Sequence, residues 1–484
     1  MGRSFDQSKT PYYDAVLNYI NKGRTAFHMP GHARGRIAPQ EMIELLGEKI
    51  YQADLTEVEG LDYLHKPEGV VKEAQELAAD AFGADHSFFL VNGSTVGVVA
   101  MILAAVKPGE KLIVQRNSHR SVIAGLTLGN VEPVFIQTRF HPEMGMMTGI
   151  TPEDLKECIE KNPDVVAVLM TSPNYFGMAE NTQELIRIAR ENNLTVLVDE
   201  SHGVHIHFHP QLPTSAVDLG ADMVTQSVHK TLPSLTQTSI LHLNGDRIPR
   251  RRVQTLLAYL QTSSPSYLFM ASLDVVRKQM ALQGKELIDK AIQTADDARV
   301  EIKKLRHIYS FRDEVIGNYG ICDFDPTKLT ICVKNTGYTG FELEKLLNQD
   351  FNIEIELADL SNILCFITAG NTQNDIAHLM EALSYYDQHI IPVQSRDITK
   401  LPRIPNLILT PTETFALEPV LMDFEVADGQ IAFEVIAPYP PGIPYTCPGE
   451  IITQEVIDLV TELRSIGSVV QGVSIDNKVK VVKY

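Results

Sequence analysis

The chain has 484 residues, 44% of them apolar and 21% charged, with a net charge of −19. The length allows two or three domains around large cores. The acid excess argues against nucleic acid or an anionic membrane as partner, since both demand a basic surface; it could concentrate a cationic substrate, or serve solubility alone.

The five cysteines (Cys158, Cys322, Cys332, Cys365 and Cys447) are scattered and form no CxxC pair. That pattern suits free thiols in a reducing compartment. The first residues, Met1-Gly2-Arg3-Ser4-Phe5-Asp6, hold no signal-peptide core, and Asp6 stands where a myristoylation motif has Ser or Thr. No apolar run approaches the ~20 residues of a membrane span. A cytoplasmic protein is expected.

Along the chain, Pro11–Tyr19 predicts a short helix and Phe27–His32 a turn-rich segment. Val70–Phe82 has helical spacing and stops at Gly83. Strands are then predicted at Phe88–Val91, Leu112–Val114, Val134–Ile136, Val165–Met170, Val196–Val198, Met223–Val224 and Ser239–Leu243. Helices are predicted at Gly97–Ala105 and Leu185–Glu191. Short, nearly continuous apolar strands between helices predict an α/β domain with a mostly parallel sheet of seven strands, covered on both faces. Residues 270–308 predict a long amphipathic linker helix. Strands at Leu329–Val333, Asn352–Leu357 and Ile363–Ile367 alternate with helices at Phe341–Leu347 and Asp375–Tyr386, which predicts a smaller C-terminal α+β domain. Residues 388–450 are proline-rich and predicted irregular, and Glu455–Ile466 is a final helix. The expected organisation is an N-terminal arm over 1–60, a large domain with its linker helix over 61–308 and a small domain over 309–484.

The most informative residues are Ser227-Val228-His229-Lys230, just past the apolar Met223-Val224. A lysine at a strand-to-loop transition can form a Schiff base with pyridoxal phosphate (PLP), and the adjacent hydroxyl and imidazole can reach the cofactor phosphate. Asp199, at the end of Val196–Val198, is a candidate partner for the pyridinium nitrogen; an acidic helix cap is the alternative. Gly93-Ser94-Thr95 lies between a strand and a helix, where free backbone N–H groups favour a phosphate. An amine, a pyridinium partner and a phosphate cradle are what PLP chemistry needs. His119, after Leu112–Val114, could stack on the cofactor ring or be an ordinary loop residue. His202, three residues past Asp199, is a candidate contact to cofactor or substrate. His205, His207 and His209 would share one face of an extended segment, but structural zinc draws its ligands from separate elements, so no metal is expected.

Over nearly its whole length the chain resembles the ornithine/lysine/arginine decarboxylase family of fold type I PLP enzymes. The marks are Phe27–His32, Asp54–Glu57 with Leu61–His65, Phe88–Thr95, Val198–Gly203, Ser227–Lys230, Thr262–Tyr267, Tyr439–Pro444 and Pro448–Glu450. The resemblance implies an aspartate-aminotransferase-like large domain in which Lys230 is the Schiff-base lysine, Asp199 pairs with the pyridinium nitrogen and His119 stacks on the ring. Ser94, Thr95, Ser227 and His229 would hold the phosphate. It further implies a homodimer or higher homo-oligomer with shared sites, which Thr262–Tyr267 would help to complete. The chain has no room for the flavodoxin-like domain of the large inducible members, and so resembles the short form. It also carries Ser201 where the family commonly has Ala, and that hydroxyl could bond near the cofactor's phenolic oxygen.

The implied activity is decarboxylation of a basic L-amino acid: arginine to agmatine and CO2 in polyamine biosynthesis, or alternatively lysine to cadaverine. Asp54, Glu57, Asp62 and Glu450 are candidates to receive the substrate's cationic group. An aminotransferase and a non-catalytic regulatory homologue are the rival readings; a Lys230→Ala variant separates an enzyme from a binding protein.

Overall fold

The computed structural model describes residues 5–392, 401–439 and 442–483. Met1–Ser4, Pro440 and Pro441 of the sequence features above lie outside the described residues, as does the stretch 393–400 of the segment expected to be irregular. Each short apolar run forms a strand: β1 His86–Leu90, β2 Lys111–Gln115, β3 Glu132–Ile136, β4 Val165–Thr171, β5 Thr195–Asp199, β6 Met223–Gln226 and β7 Ser239–Leu243. They make one seven-stranded sheet in the order β1-β7-β6-β5-β4-β2-β3. β2 pairs in parallel with β3 and β4, while β7 runs antiparallel to both β1 and β6. Successive residues are buried along the strands, as a sheet covered on both faces requires.

The chain divides into two compact units, one of residues 1–104, 199–209 and 215–285, the other of residues 105–198, 210–214 and 286–484. In the first, helix α1 (Pro11–Asn21) is tied down through Asp274, which accepts from the backbone N–H of Tyr12 (3.0 Å) and Tyr13 (3.3 Å). Arg277 pairs with Asp274 at 2.6 Å, both side chains fully buried, and donates to the carbonyls of Gln7 and Lys9. By contrast, helices α2 (Gln40–Leu46) and α3 (Glu48–Ala53) bury no residue at all. Helix α4 (Val70–Ala81) starts against the Asp62 carboxylate, which accepts from the backbone N–H groups of Tyr63, Glu68, Gly69 and Val71.

Helix α5 (Gly93–Ala105) is buried at every position from Gly97 to Ile102, as expected of a helix apolar on all sides. A Cβ on Gly97 would fall 2.2 Å from Thr225 Oγ1, so only glycine lets α5 lie this close to β6. The predicted start at Gly97 is corrected: the helix begins at Gly93, and Gly93-Ser94-Thr95 are its first turn. Their small polar side chains hide a helix start that apolar periodicity cannot register.

In the second unit, β8 (Tyr309–Ser310), β9 (Lys328–Cys332), β10 (Leu357–Ala358) and β11 (Asn362–Phe366) form an antiparallel sheet in the order β8-β9-β11-β10. Between them the chain forms α7 (Gly340–Phe351), and after them α8 (Gln373–Gln388); both open on capping boxes, Thr339 with Glu342 and Thr372 with Asp375. Leu329, Ile331, Leu343, Leu347, Ile363 and Leu379 are core residues of this α+β layer, each worth roughly 1.5–3 kcal/mol of burial. The predicted strand Asn352–Leu357 shrinks to β10, because Asn352 closes α7 in the left-handed conformation (φ 52°).

The segment predicted irregular holds a short helix, Pro411–Phe415, and two strands, β12 (Pro419–Asp423) and β13 (Ala437–Tyr439). These pair with β15 (Lys478–Val482) and β14 (Val469–Gln471) respectively. Its prolines mislead: Pro411 sits at the first helical position and Pro419 at the first strand position, where a missing N–H costs little.

Candidate active site

Seven of the sequence-predicted residues fall in the first unit, at the carboxyl ends of β5 and β6 and at the start of α5. Lys230 lies in a four-residue helix, Val228–Thr231, rather than in a loop. Its half-buried amine is 3.0 Å from His202 Nε2, and His202 is buried. One of these two nitrogens must donate, so the pair holds a proton between Nζ and Nε2.

Asp199 is the last residue of β5 and only 4% exposed. Its Oδ1 accepts from both the backbone N–H (3.1 Å) and the hydroxyl of Ser201. Ser201 therefore spends its hydroxyl on orienting the Asp199 carboxylate, which corrects the expectation that it would reach a cofactor oxygen.

Ser227 is fully buried and donates to Ser94 Oγ at 2.7 Å, bringing the end of β6 to the N-terminus of α5. Thr95 beside it is exposed. Asn92, in the capping position, accepts at Oδ1 from Thr262 N–H (3.2 Å). Gly93 has φ +77°, and a Cβ there would meet nothing within 4 Å, so the helix start faces open space. His229 is half-buried and donates from Nδ1 to the Thr238 carbonyl at 2.8 Å, which fixes its ring.

His119 belongs to the second unit. It is exposed and caps helix α6 (Arg120–Gly129), its Nδ1 accepting from Ser121 N–H (3.2 Å) and bonded to Ser121 Oγ (2.8 Å). When neutral it therefore carries its proton on Nε2. The three later histidines do not share a strand face, because Ile206–Phe208 is a 3-10 turn in which His207 bonds Asp218 at 2.8 Å while His205 and His209 are buried. Among the described residues, no cluster of three His, Cys, Asp or Glu side chains is placed to hold a metal ion.

Of the four acids proposed for a cationic side chain, two are committed elsewhere. Asp62 caps α4. Glu450 is fully buried in a bidentate pair with Arg116 (2.7 Å at each oxygen). Arg116 also donates to the carbonyls of Pro444 and Tyr445 and lies 3.3 Å from the sulfur of Cys447, a buried thiol whose pKa is pushed up by burial. Asp54 lies 3.3 Å from His32 Nε2, and Glu57 accepts from Thr56.

Sequence reasoning passed over Arg116, Glu200 and Gln226. A signal existed for each: a charged or amide group within or next to a strand buried on both faces needs a partner.

Comparison with known proteins gives one family over both parts of the chain. Residues 10–375 match the family described as Orn/Lys/Arg decarboxylase, major domain, and residues 410–477 match its C-terminal domain. The arginine decarboxylase of Bacillus subtilis is 41% identical over 472 residues, 96% of each chain. That of Halalkalibacterium halodurans is 41% identical over 469 residues, again 96% of each. Among solved structures, the Francisella novicida lysine decarboxylase LdcF superposes with a TM-score of 0.87 at 23% identity, over 98% of this chain and 81% of that one. The fold is therefore that of the fold type I enzymes.

Proposed function

The chain belongs to the Orn/Lys/Arg decarboxylase family, and on that premise we propose that it decarboxylates a basic L-amino acid with PLP attached at Lys230. L-arginine is the first candidate, giving agmatine and CO2, because the relatives of high identity are named arginine decarboxylases. The observation that carries the reading is the gathering, in one unit, of the Lys230 amine beside His202, the buried Asp199 carboxylate and the Ser94–Ser227 hydroxyl pair at the start of α5.

These residues fit the cofactor. The open start of α5 offers to a phosphate dianion its backbone N–H groups and the Ser94 hydroxyl, whose proton is left free by the bond it accepts from Ser227; Thr95 is a further donor, and His229, its Nδ1 held by Thr238, donates through Nε2 when its ring is cationic. Asp199, oriented by Ser201, supplies a buried carboxylate for a protonated ring nitrogen. When bound, PLP supplies the sink for the electron pair left on Cα as CO2 departs. Lys230 and His202 hold the proton that must return to Cα. Asp54 and Glu57 remain the candidates to receive the guanidinium, a group suited to carboxylate forks.

A homodimer is part of the same reading. Helices α2 and α3 bury nothing within the chain, and Phe27, Ile37 and Leu45 are 97%, 74% and 74% exposed. A second copy is assigned to this surface.

The test is to supply PLP-loaded protein separately with L-arginine, L-lysine and L-ornithine, and to measure CO2 and amine. Agmatine alone is expected. Cadaverine or putrescine would reassign the substrate, and no CO2 from any of the three would end the decarboxylase reading.

A further inference from the structure

Next to the seven site residues, five buried groups form one chain of hydrogen bonds. Ser87 Oγ lies 2.8 Å from His242 Nδ1, and His242 Nε2 lies 3.0 Å from Gln226 Oε1. Gln226 Nε2 donates to Glu200 Oε1 at 2.6 Å. Glu200 also accepts from Ser215 Oγ (2.7 Å) and from the Ala216 N–H (2.6 Å). Ser87, His242, Gln226, Glu200 and Ser215 are each at most 4% exposed.

The direction of the chain is set by chemistry. An amide must turn its NH2 toward a carboxylate, so Gln226 offers its carbonyl oxygen to His242. His242 must then carry its proton on Nε2 and accept from the Ser87 hydroxyl at Nδ1. Burial pushes the pKa of His242 down to about 3, which keeps the ring neutral and this tautomer intact. Every bond thus runs toward Glu200, from β1 through β7 and β6.

The two ends that meet at Glu200 are the two that carry the chemistry. Glu200 directly follows Asp199, and its backbone N–H donates to the Thr225 carbonyl at 2.9 Å. Gln226 directly precedes Ser227 and the helical turn that bears Lys230. We propose that Glu200 is a positioning residue which, through Gln226, sets the Asp199 end of β5 against the Lys230 end of β6. The proposal rests on the decarboxylase reading above and deepens it. A misplacement on the scale of 1 Å at a reacting group costs up to about a hundredfold in rate.

The test uses full-length, PLP-loaded protein in four forms: wild type, Glu200→Gln, Gln226→Glu and the exchanged double variant. Glu200→Gln keeps an acceptor for Gln226 only by turning its NH2 onto the Ala216 N–H, and Gln226→Glu sets two carboxyls across the 2.6 Å contact; the exchange restores one donor and one acceptor there. Each single variant is expected to lose roughly tenfold to a hundredfold in kcat with KM held, and to shift the visible PLP band. The double variant is expected to recover most of both. Single variants that lose only thermal stability while keeping the wild-type band and kcat per folded molecule would overturn the proposal, as would a double variant no better than the singles.

Should a single variant fail to fold, nitrogen-15 NMR of histidine-labelled wild-type protein without PLP decides. A non-titrating His242 protonated at Nε2 supports the relay; an Nδ1-protonated ring overturns it. Wild-type protein that releases no CO2 would instead bring down the decarboxylase reading, a result distinct from active wild type with unaffected variants.

Discussion

Glu200 and Glu180 are both buried glutamates, at 1% and 6% exposure, one in each unit, yet they are compensated differently. Glu200 accepts from Gln226, Ser215 and Ala216, and burial raises its pKa only to about 7. Glu180 accepts at Oε2 from Gln115 (3.0 Å), its Oε1 has no hydrogen-bond partner among the described residues, and burial raises it to about 8 against the pull of Gln115 and the Ile150 backbone N–H. Burial sets the direction in both; the donors decide how far each acid is pulled back toward its charged form. Glu450 shows a third solution, a bidentate arginine. Of these three glutamates, the one richest in neutral donors is the one that adjoins Asp199.

The comparison can be broken in order of expected effect. Arg116→Met leaves Glu450 buried without its cation and should cost about 3–5 kcal/mol in urea unfolding; replacing both partners by apolar residues should recover most of it. Equal losses in the single and double variants would refute the pairing. Glu200→Ala orphans the donors of Gln226, Ser215 and Ala216, and should cost about 1–3 kcal/mol by the same measurement. An unchanged midpoint would mean that the network does not hold these strand ends.

Glu180→Gln tests the opposite case through pH. The folded protein holds the Glu180 proton more tightly than the unfolded chain, since its pKa is raised from 4.5 to about 8. The stability from this group is fully present below about pH 4.5 and is lost as pH rises through about 8. The glutamine variant lacks that loss, so its unfolding midpoint should gain on wild type steadily across this range; parallel curves would contradict the assignment. Ser201→Ala should show the smallest effect, about 1 kcal/mol for one hydrogen bond to Asp199, with a modest fall in kcat. A change in KM alone would place Ser201 elsewhere.

Much of this was legible in the sequence because it lies in local patterns. The seven apolar runs became the seven strands, and Asp199 and Lys230 stand where strands end. What escaped was non-local. Nothing near Glu450 indicates Arg116, 334 residues away, and nothing near Gln226 indicates Glu200 on one side and His242 on the other. Proline density misread residues 411–439, since proline is tolerated at first positions of helices and strands. The polar first turn of α5 hid a helix start that lies at the centre of the site.

The most direct measurement is borohydride reduction of the PLP-loaded protein, followed by peptide mass spectrometry. The account predicts one modified residue, Lys230, and no modification or CO2 release in Lys230→Ala. Cofactor trapped on another lysine, or undiminished turnover in the variant, would contradict it.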